Sequence, residues 1–218
     1  MTGTSTPTGA ATGRSAGLDF VYEALPQRVR FGAGERHHVG DEIRRLGATR
    51  VFFIGDTPDA HEVATELTGQ DGFAIVASWD EAVQHVPDEL AERARAACTA
   101  AGADAVVTVG GGSSTGLAKA IALSHGVPIV AVPTTYAGSE QTAIYGITGG
   151  RHKQTGKNPA VQPKAVVYDA ELTLGLPPHV TGPSAFNALA HSKRRATTRS
   201  PACSPWKECA PSTARCRP

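Results

Sequence analysis

Two polar loops, each following directly on an apolar run, carry the residue types best suited to chemistry. Gly110, Gly111 and Gly112 follow the run AVVTV at 105–109, and Ser113 comes next. The second loop, PTTYAGSE at 133–140, follows the run PIVAV at 128–132. β-Branched runs are typical of strands buried on both faces, and loops at the carboxyl ends of parallel strands form the usual ligand crevice. We therefore expect both loops to line one binding site.

The glycine loop is suited to an anion, above all a phosphate. Glycines let the backbone approach an anion closely, and the first N–H groups of a helix are unpaired donors at the positive end of its dipole. We expect Ser113 to cap that helix and to offer a hydroxyl. The alternative is a tight turn that binds nothing, but consecutive glycines beside a hydroxyl-rich loop favour nucleotide binding. The standard fingerprints fail, because Thr115 stands where G-x-G-x-x-G needs its third glycine and Leu117, not Lys, follows Gly116.

Asp56 stands at the end of a third apolar run, RVFFI at 50–54. A carboxylate at that point can accept hydrogen bonds from a ribose diol and would repel a 2′-phosphate. The alternative role is to cap the next helix, which Asp56, Thr57 or Asp59 could do. Both roles stay open from the sequence.

The sequence offers two candidate metal sites, and both match metal-binding patterns poorly. Asn187 and His191 stand at i and i+4 and would share a helical face, so they could share a metal ion. Asn is a poor ligand for a divalent transition metal, however. Cys203, Cys209 and Cys216 have x5 and x6 spacings that match no common zinc site.

Alternating apolar runs and helical periodicity predict the elements that position these residues. Strands and helices alternate over most of the chain, which implies a parallel sheet with right-handed crossovers. We expect an extended N-terminal pair (19–23 and 28–31), core strands at 50–54 and 73–76, further strands at 105–109, 128–132, 144–148 and 164–168, and a basic hairpin at 149–158. Three helices should turn Val39/Ile43/Leu46, Val63/Leu67 and Leu90/Ala94/Ala97 inward, the third of them spanning 88–101, and a further helix should begin near Pro183.

Composition narrows the possible function classes. The chain has 218 residues and a net charge of +1, which favours neither nucleic-acid nor membrane binding. No apolar run approaches the ~18 residues of a membrane span, and residues 1–17 lack the apolar core of a secretory signal. We expect a cytoplasmic protein with a disordered leader at 1–17. The segment 192–218, with two Lys, five Arg and one Glu, is predicted to be a disordered basic tail rich in Cys and Pro.

Three segments in this order are specific enough to indicate a family: GGGSSTGLAKAIAL at 110–123, PTTYAGSE at 133–140 and VVYDAELTLGLPP at 166–178. They resemble the iron-containing alcohol dehydrogenase superfamily, and more closely its maleylacetate reductase branch. The segment 20–34 and His85-Val86-Pro87 also fit that branch. The wider family usually has Asp at the position of Gly116, and the Gly form resembles the reductases.

The resemblance implies an α/β fold, a Rossmann-like parallel sheet with flanking helices, over residues 18–180. It also implies NADH as cofactor, with NADPH possible. By resemblance, Gly110, Gly111, Gly112 and Ser113 would hold the pyrophosphate, Thr134, Thr135 and Ser139 the adenosine half, Lys153 the ribose near the nicotinamide and Leu176 the adenine, while Asp56 would favour NAD. The implied reaction is reduction of maleylacetate, or a chlorinated analogue, to the 3-oxoadipate type of product.

The same resemblance bears on the metal and on the end of the chain. Metal-dependent relatives carry Asp and His at i and i+4 at the start of a helical domain, whereas this chain has Asn187 and His191. We therefore expect His191 as a catalytic residue and no metal. The helical domain would begin at 181–191, and the tail from 192 suggests truncation or a frameshift with impaired turnover. A homodimer is plausible, and the alternatives are a metal-dependent alcohol or glycerol dehydrogenase and a non-catalytic nucleotide-binding module.

Overall fold

The structure is a computed structural model that describes residues 25–149 and 152–194, with side chains described as far as residue 190. Strands and helices alternate through most of this part of the chain, as the apolar periodicity predicts. The strands are β1 (Arg28–Gly32), β2 (Arg50–Ile54), β3 (Ala74–Trp79), β4 (Ala105–Gly110), β5 (Ile129–Pro133), β6 (Ile144–Gly149), β7 (His152–Lys157) and β8 (Ala165–Asp169), and the α-helices are α1 (Val39–Arg45), α2 (Pro58–Thr68), α3 (Asp88–Ala100), α4 (Gly112–His125) and α5 (Pro178–Arg194).

Six strands form one parallel sheet in the order β1-β8-β5-β4-β2-β3. Helices cover both faces, so the predicted Rossmann-like parallel sheet is confirmed. One face packs on α1 and α2 through residues such as Ile43 and Val63. The opposite face packs on α3 and α4 through residues such as Leu90 and Leu117. The central strands β4 and β5 are buried along their whole length, which is why their sequences are nearly continuous apolar runs.

Two strand predictions need correction, and a third is not tested by the described residues. The strand predicted at 73–76 lies at the edge of the sheet, because β3 has β2 as its single neighbour in the sheet order. β1 pairs in parallel with β8 on one side. The segment 19–23 lies outside the described residues, so the extended N-terminal pair stays a prediction. The segment predicted as a basic hairpin contains β7, which pairs antiparallel with β6 in a separate two-stranded sheet. Its sequence HKQTGK has no apolar alternation and therefore gives no strand signal.

The last helix also differs from its prediction. α5 begins at Pro178 and contains Pro183, whereas the sequence predicted a start near Pro183. Proline is tolerated in the first turn of a helix, and Pro178 occupies that position here. The leader at 1–17 and the tail beyond residue 194, including Cys203, Cys209 and Cys216, lie outside the described residues. In the described part, no helix is long and apolar enough to cross a membrane.

Candidate functional site: the crevice at the ends of β2, β4 and β5

The direction of the connections reverses between β2 and β4, which are neighbours in the sheet. The chain runs outward from β2 to β3 through α2, but from β4 it runs the other way to β5 through α4. Such a switch point leaves a crevice at the carboxyl ends of the two strands. Gly55 lets the ends come close, because a Cβ there would lie 2.6 Å from Ala60 Cβ and 3.0 Å from the Val109 carbonyl oxygen. The sequence thus places Asp56 and the glycine loop on the two sides of one crevice.

The glycine loop packs directly against the second polar loop. A Cβ on Gly111 would lie 3.2 Å from Thr135 Cγ2, and one on Gly112 would lie 3.4 Å from Ala137 Cβ. The Thr134 N–H donates to the Gly110 carbonyl oxygen at 3.0 Å. The structure therefore brings together Gly110, Gly111 and Gly112 with Thr134 and Thr135, as the sequence predicted for two loops of one site.

The helix α4 begins at Gly112, two residues earlier than a Ser113 cap requires. Its N-cap is Gly111, which makes no side-chain cap hydrogen bond, so the prediction that Ser113 caps this helix is wrong. The first hydrogen bond of the helix runs from Thr115 N–H to the Gly111 carbonyl oxygen. The N–H groups of Gly112, Ser113 and Ser114 precede that bond and form the donor end of the helix. A helix start with a glycine in the cap position leaves this end open to an anion.

Gly110 shapes the turn that leads into this end. Its φ is 152°, and a Cβ on it would lie 2.5 Å from Ser114 Oγ. A side chain at Gly110 would therefore displace Ser114, which is buried in the first turn of α4. Glycine is therefore required at position 110 because a side chain would clash locally, and not because the loop needs to be flexible.

Asp56 is exposed at the start of α2. The helix is capped by Thr57, whose hydroxyl oxygen accepts a hydrogen bond from Ala60 N–H at 3.2 Å. Of the three capping candidates left open by the sequence, Thr57 is the one that caps. The Asp56 carboxylate is therefore not needed for capping, and it stands exposed beside the crevice.

Ser139 lies at the far end of the second loop, where a buried lysine holds the backbone. Lys119 on α4 donates to the carbonyl oxygens of Ser139 at 2.6 Å, Thr142 at 2.7 Å and Ile144 at 2.8 Å. Its side chain is fully buried. Sequence reasoning missed Lys119, although its setting gave a signal. A single lysine in the otherwise apolar stretch GLAKAIAL of a helix covered on all sides must find polar partners.

Glu140 follows Ser139 and is also buried. Its Oε1 accepts a hydrogen bond from the Tyr168 hydroxyl at 2.6 Å. Burial raises the pKa of Tyr168 above its ordinary value, and the bond to Glu140 raises it further. The second loop is thus fixed at its far end to β8 as well as to α4.

Lys153 lies on the β6–β7 hairpin rather than in the crevice loops. Its Nζ lies 3.5 Å from His85 Nδ1. It also lines a shallow open depression together with Asp88, Ile147 and His152. The hairpin approaches α4 through the segment 85–87, because Thr148 N–H donates to the Val86 carbonyl oxygen at 2.9 Å. The contact of Lys153 with His85 thus lies on the side of the segment 85–87 that faces the hairpin.

α5 flanks the second loop, and Leu176 lies just before this helix. Leu176 is half-buried just before α5, and its carbonyl oxygen accepts a hydrogen bond from Thr181 Oγ1 at 2.9 Å. Ser184 Oγ accepts a hydrogen bond from Tyr136 N–H at 2.9 Å, and Asn187 Nδ2 donates to the Ala137 carbonyl oxygen at 3.3 Å. α5 therefore docks on the loop that covers the glycines.

His191 lies on α5 one turn beyond Asn187, and its side chain falls outside the described residues. Within the described part of the chain, no three His, Cys, Asp or Glu side chains form a group that could hold a metal ion. The Asn187 amide is engaged with a backbone carbonyl. The described residues thus do not make a complete metal site.

A family model described as iron-containing alcohol dehydrogenase matches residues 26–170, which include the sheet and both crevice loops. The chain belongs to the iron-containing alcohol dehydrogenase family. This membership supports a nicotinamide dinucleotide as cofactor. The expectation that no metal is bound is not borne out, because the family takes its name from iron.

The resemblance to the maleylacetate reductase branch is confirmed by individual relatives. The chain is 49% identical over 173 residues to maleylacetate reductase of Burkholderia cepacia, a match that covers 79% of this chain and 49% of the relative. The crystal structure of maleylacetate reductase from Agrobacterium tumefaciens superposes with a TM-score of 0.74 at 45% identity, over 80% of this chain and 49% of that one. The structure of the Rhizobium sp. strain MTP-10005 reductase gives the same values. The chain spans about half the length of the relatives it matches.

Proposed function

We propose that this chain supplies the dinucleotide-binding part of an NAD(P)H-dependent reductase of the maleylacetate reductase type. The observation that carries the proposal is the close packing of Gly111 and Gly112 on the second loop at the switch point, where a side chain on either glycine would fill the space between the two loops. We call this space, together with the free N–H groups at the start of α4, the anion cradle. The relatives that match at 42–49% identity are named for reduction of maleylacetate. In this proposal, residues 18–180 form the cofactor domain and 181–191 begin the next one.

The cradle fits a pyrophosphate chemically. The N–H groups of Gly112, Ser113 and Ser114 supply donors at the positive end of α4, and the adjacent glycines leave the backbone accessible. Thr134 and Thr135 supply hydroxyls from the second loop. Asp56, exposed on the other side of the crevice, is positioned to accept hydrogen bonds from a ribose diol. We propose these residues, with Ser139, Lys153 and Leu176, as the cofactor contacts.

The bound nicotinamide would supply a hydride to the conjugated double bond of the substrate. The protein's part is to hold the cofactor at a fixed position and to stabilise the enolate that develops on the substrate. His191 is our candidate for a group near the substrate, because α5 docks beside the crevice through Asn187. We further propose a small dicarboxylate as substrate, NADH rather than NADPH as the preferred donor, and a homodimer as the assembly.

The test begins with NADH binding by the purified chain, measured by calorimetry and by fluorescence. Gly112→Ala is the informative variant, because its Cβ would meet Ala137 at an ordinary contact distance of 3.4 Å and the fold should survive. We expect NADH affinity to fall by about tenfold or more as the methyl group obstructs the anion. Gly175→Ala is the matched control, since nothing lies within 4 Å of a Cβ there. A folded wild-type chain that binds no NADH would overturn the proposal.

Substrate and metal are tested separately from cofactor binding. Maleylacetate-dependent oxidation of NADH would support the reductase assignment, and oxidation of an alcohol or glycerol with NAD instead would overturn it. Metal content of the purified chain, measured by mass spectrometry, decides whether iron or zinc accompanies the protein. NADH binding without turnover of either substrate would limit the function to the cofactor half.

A further inference from the structure

The ammonium group of Lys119 matches its acceptors in number. An ammonium has three N–H donors. The three carbonyl oxygens of Ser139, Thr142 and Ile144 lie between 2.6 and 2.8 Å from Lys119 Nζ, and Thr142 Oγ1 lies at 3.2 Å. Each N–H therefore has its own carbonyl, which is the saturated arrangement that a buried cation requires.

These carbonyls belong to one short segment, 139–144, that leaves the second crevice loop and enters β6. The segment includes a single turn of 3-10 helix at Ser139–Gln141, which follows Gly138 with a φ of 78°. The hydrogen bonds from Lys119 to this segment, which we call the tie, thus connect α4 to the far end of the loop that carries Thr134 and Thr135. The first turn of α4 forms the anion cradle. The near end of that loop is held by the hydrogen bond from Thr134 N–H to Gly110.

Burial of a lysine opposes stability unless its bonds compensate. Burial lowers the pKa of Lys119 to about 8, and the negative charge of Glu140 works in the opposite direction. An apolar side chain of similar length would avoid that cost, but it would leave three carbonyl oxygens of the segment without this donor. The lysine is therefore suited to fixing the path of the loop rather than to raising the stability of the core.

We propose that Lys119 is a positioning residue for the dinucleotide site, whose ammonium group holds the loop 134–139 against the glycine loop so that both face the cofactor. This inference rests on the proposed function, because the loop matters only if a dinucleotide binds between the two loops. Lys119 acts through the backbone of 139–144 and is not assigned any contact with cofactor or substrate.

Two variants test the tie. Lys119→Met keeps the length of the side chain and removes every donor, whereas Lys119→Arg keeps the charge and the donors. Ile121→Val is the matched control, because it removes a methyl group from a fully buried residue on the same helix and leaves every donor of Lys119 in place. Hydrogen exchange measured by mass spectrometry reports on the backbone amides of 134–144, and calorimetry reports NADH affinity.

We expect Lys119→Met to raise hydrogen exchange in 134–144 selectively and to weaken NADH binding by about tenfold. Lys119→Arg should recover part of the affinity, and Ile121→Val should change neither quantity beyond its effect on global stability. Lys119→Met with wild-type exchange and wild-type affinity would overturn the proposal, as would an equal loss of affinity in Ile121→Val. If wild type binds no NADH, the proposed function fails, and the exchange pattern still decides whether the tie holds the loop.

A pH titration of the wild-type chain repeats the test without a variant. The amine has two N–H donors, so deprotonation leaves one of the three carbonyls unpaired. NADH affinity should therefore fall as pH rises through about 8. Glu140 is the charged group that faces Lys119. The Tyr168 hydroxyl, which donates to Glu140, has a pKa raised above its ordinary value of 10, so it stays neutral in this window. A flat affinity from pH 7 to 9 in the wild type would count against the ammonium as the tie.

Discussion

Gly116 on α4 makes room for Val86, the residue that joins the β6–β7 hairpin to this helix. A Cβ on Gly116 would lie 2.9 Å from Val86 Cγ2. Val86 is buried and has a φ of 43°, a left-handed conformation that is rare for a β-branched residue. Its carbonyl oxygen accepts the Thr148 N–H of β6 at 2.9 Å. The valine therefore has little freedom to move away, and the space at Gly116 is part of how the hairpin is anchored.

We predict that Gly116→Ala destabilises the protein. An alanine in a helix is ordinarily favoured over glycine by ~1 kcal/mol, but overpacking against a fixed neighbour costs ~1–3 kcal/mol. We expect a net loss of about 1 kcal/mol in the free energy of unfolding, measured by urea denaturation.

The double variant Gly116→Ala with Val86→Ala isolates the contact between the two residues. Removing the Val86 methyl groups should cancel most of the overpacking, so the two changes should couple by ~1 kcal/mol. Strict additivity of the two single effects would contradict the shared volume. Gly69→Ala is the control, because it ends another helix and a Cβ there would meet its nearest atom at 3.8 Å.

The second prediction concerns cofactor choice at Asp56. Asp56→Ser removes the carboxylate that would repel a 2′-phosphate, so NADPH affinity should rise relative to NADH affinity by about tenfold. Stability should be nearly unchanged, because Asp56 is exposed and Thr57 makes the cap. Calorimetric affinities for both dinucleotides provide the measurement. Asp59→Ser, in the first turn of the same helix, serves as control and should leave the ratio unchanged.

The sequence was sufficient to predict the strands and helices whose apolar spacing shows which residues are buried. β2 and α3 have boundaries within one or two residues of the predicted ones, because apolar runs and helical spacing reflect burial directly. The β7 strand was not predictable, since an exposed polar strand has no such pattern. The start of α4 at a glycine cap was also missed, because Ser113 is the better capping residue by type and the backbone nevertheless turns earlier.

Contacts between segments far apart in the chain could not be predicted from the sequence. Val86 and Gly116 are thirty residues apart, and Lys119 contacts carbonyls twenty or more residues away. Neither pairing leaves a periodic trace in the sequence, and backbone carbonyls carry no residue identity at all. The residues of both crevice loops were identifiable because glycine and hydroxyl types cluster there, whereas what holds those loops in place follows only from the fold.

The third prediction is a pH dependence of stability that arises from Lys119. Its pKa is about 8 in the folded chain against a reference of 10.5. The unfolded chain therefore binds more protons between these values, so the contribution of Lys119 to stability rises with pH across this window. The total rise corresponds to ~3 kcal/mol for a full shift of this size. It is measured as the difference in the free energy of unfolding between wild type and Lys119→Met.

This dependence has the opposite sign to the loss of NADH affinity expected over the same pH range. Global stability should increase while cofactor binding weakens, because deprotonation relieves a buried charge and at the same time loosens the loop. The free energy of unfolding should be measured below pH 10, where Tyr168 stays neutral because its pKa is raised above the ordinary value of 10. A difference between wild type and Lys119→Met that does not change between pH 8 and 10 would contradict a depressed pKa.

The last prediction concerns Asp169, which ends β8 and joins it to the turn before α1. Its buried carboxylate accepts the N–H groups of Gly34, Arg36 and Glu171 at 3.0–3.1 Å, and the Arg36 guanidinium at 2.7 Å. Burial alone would raise its pKa, but these hydrogen bonds lower it below the reference of 3.8. Its contribution to stability is therefore complete above about pH 4 and is lost as pH falls through the folded pKa.

Asp169→Asn should cost ~3 kcal/mol in the free energy of unfolding, because the amide directs N–H donors at backbone N–H groups and leaves Arg36 without its buried partner. Acid unfolding should also become less steep, since one group that must be protonated has been removed. Glu171→Gln is the matched control: it contacts the same guanidinium at 2.6 Å, but its side chain is 48% exposed, so the expected loss is under ~1 kcal/mol. Equal losses in the two variants would mean that the ion pair with Arg36, rather than the buried set of backbone bonds, holds β8 to this turn.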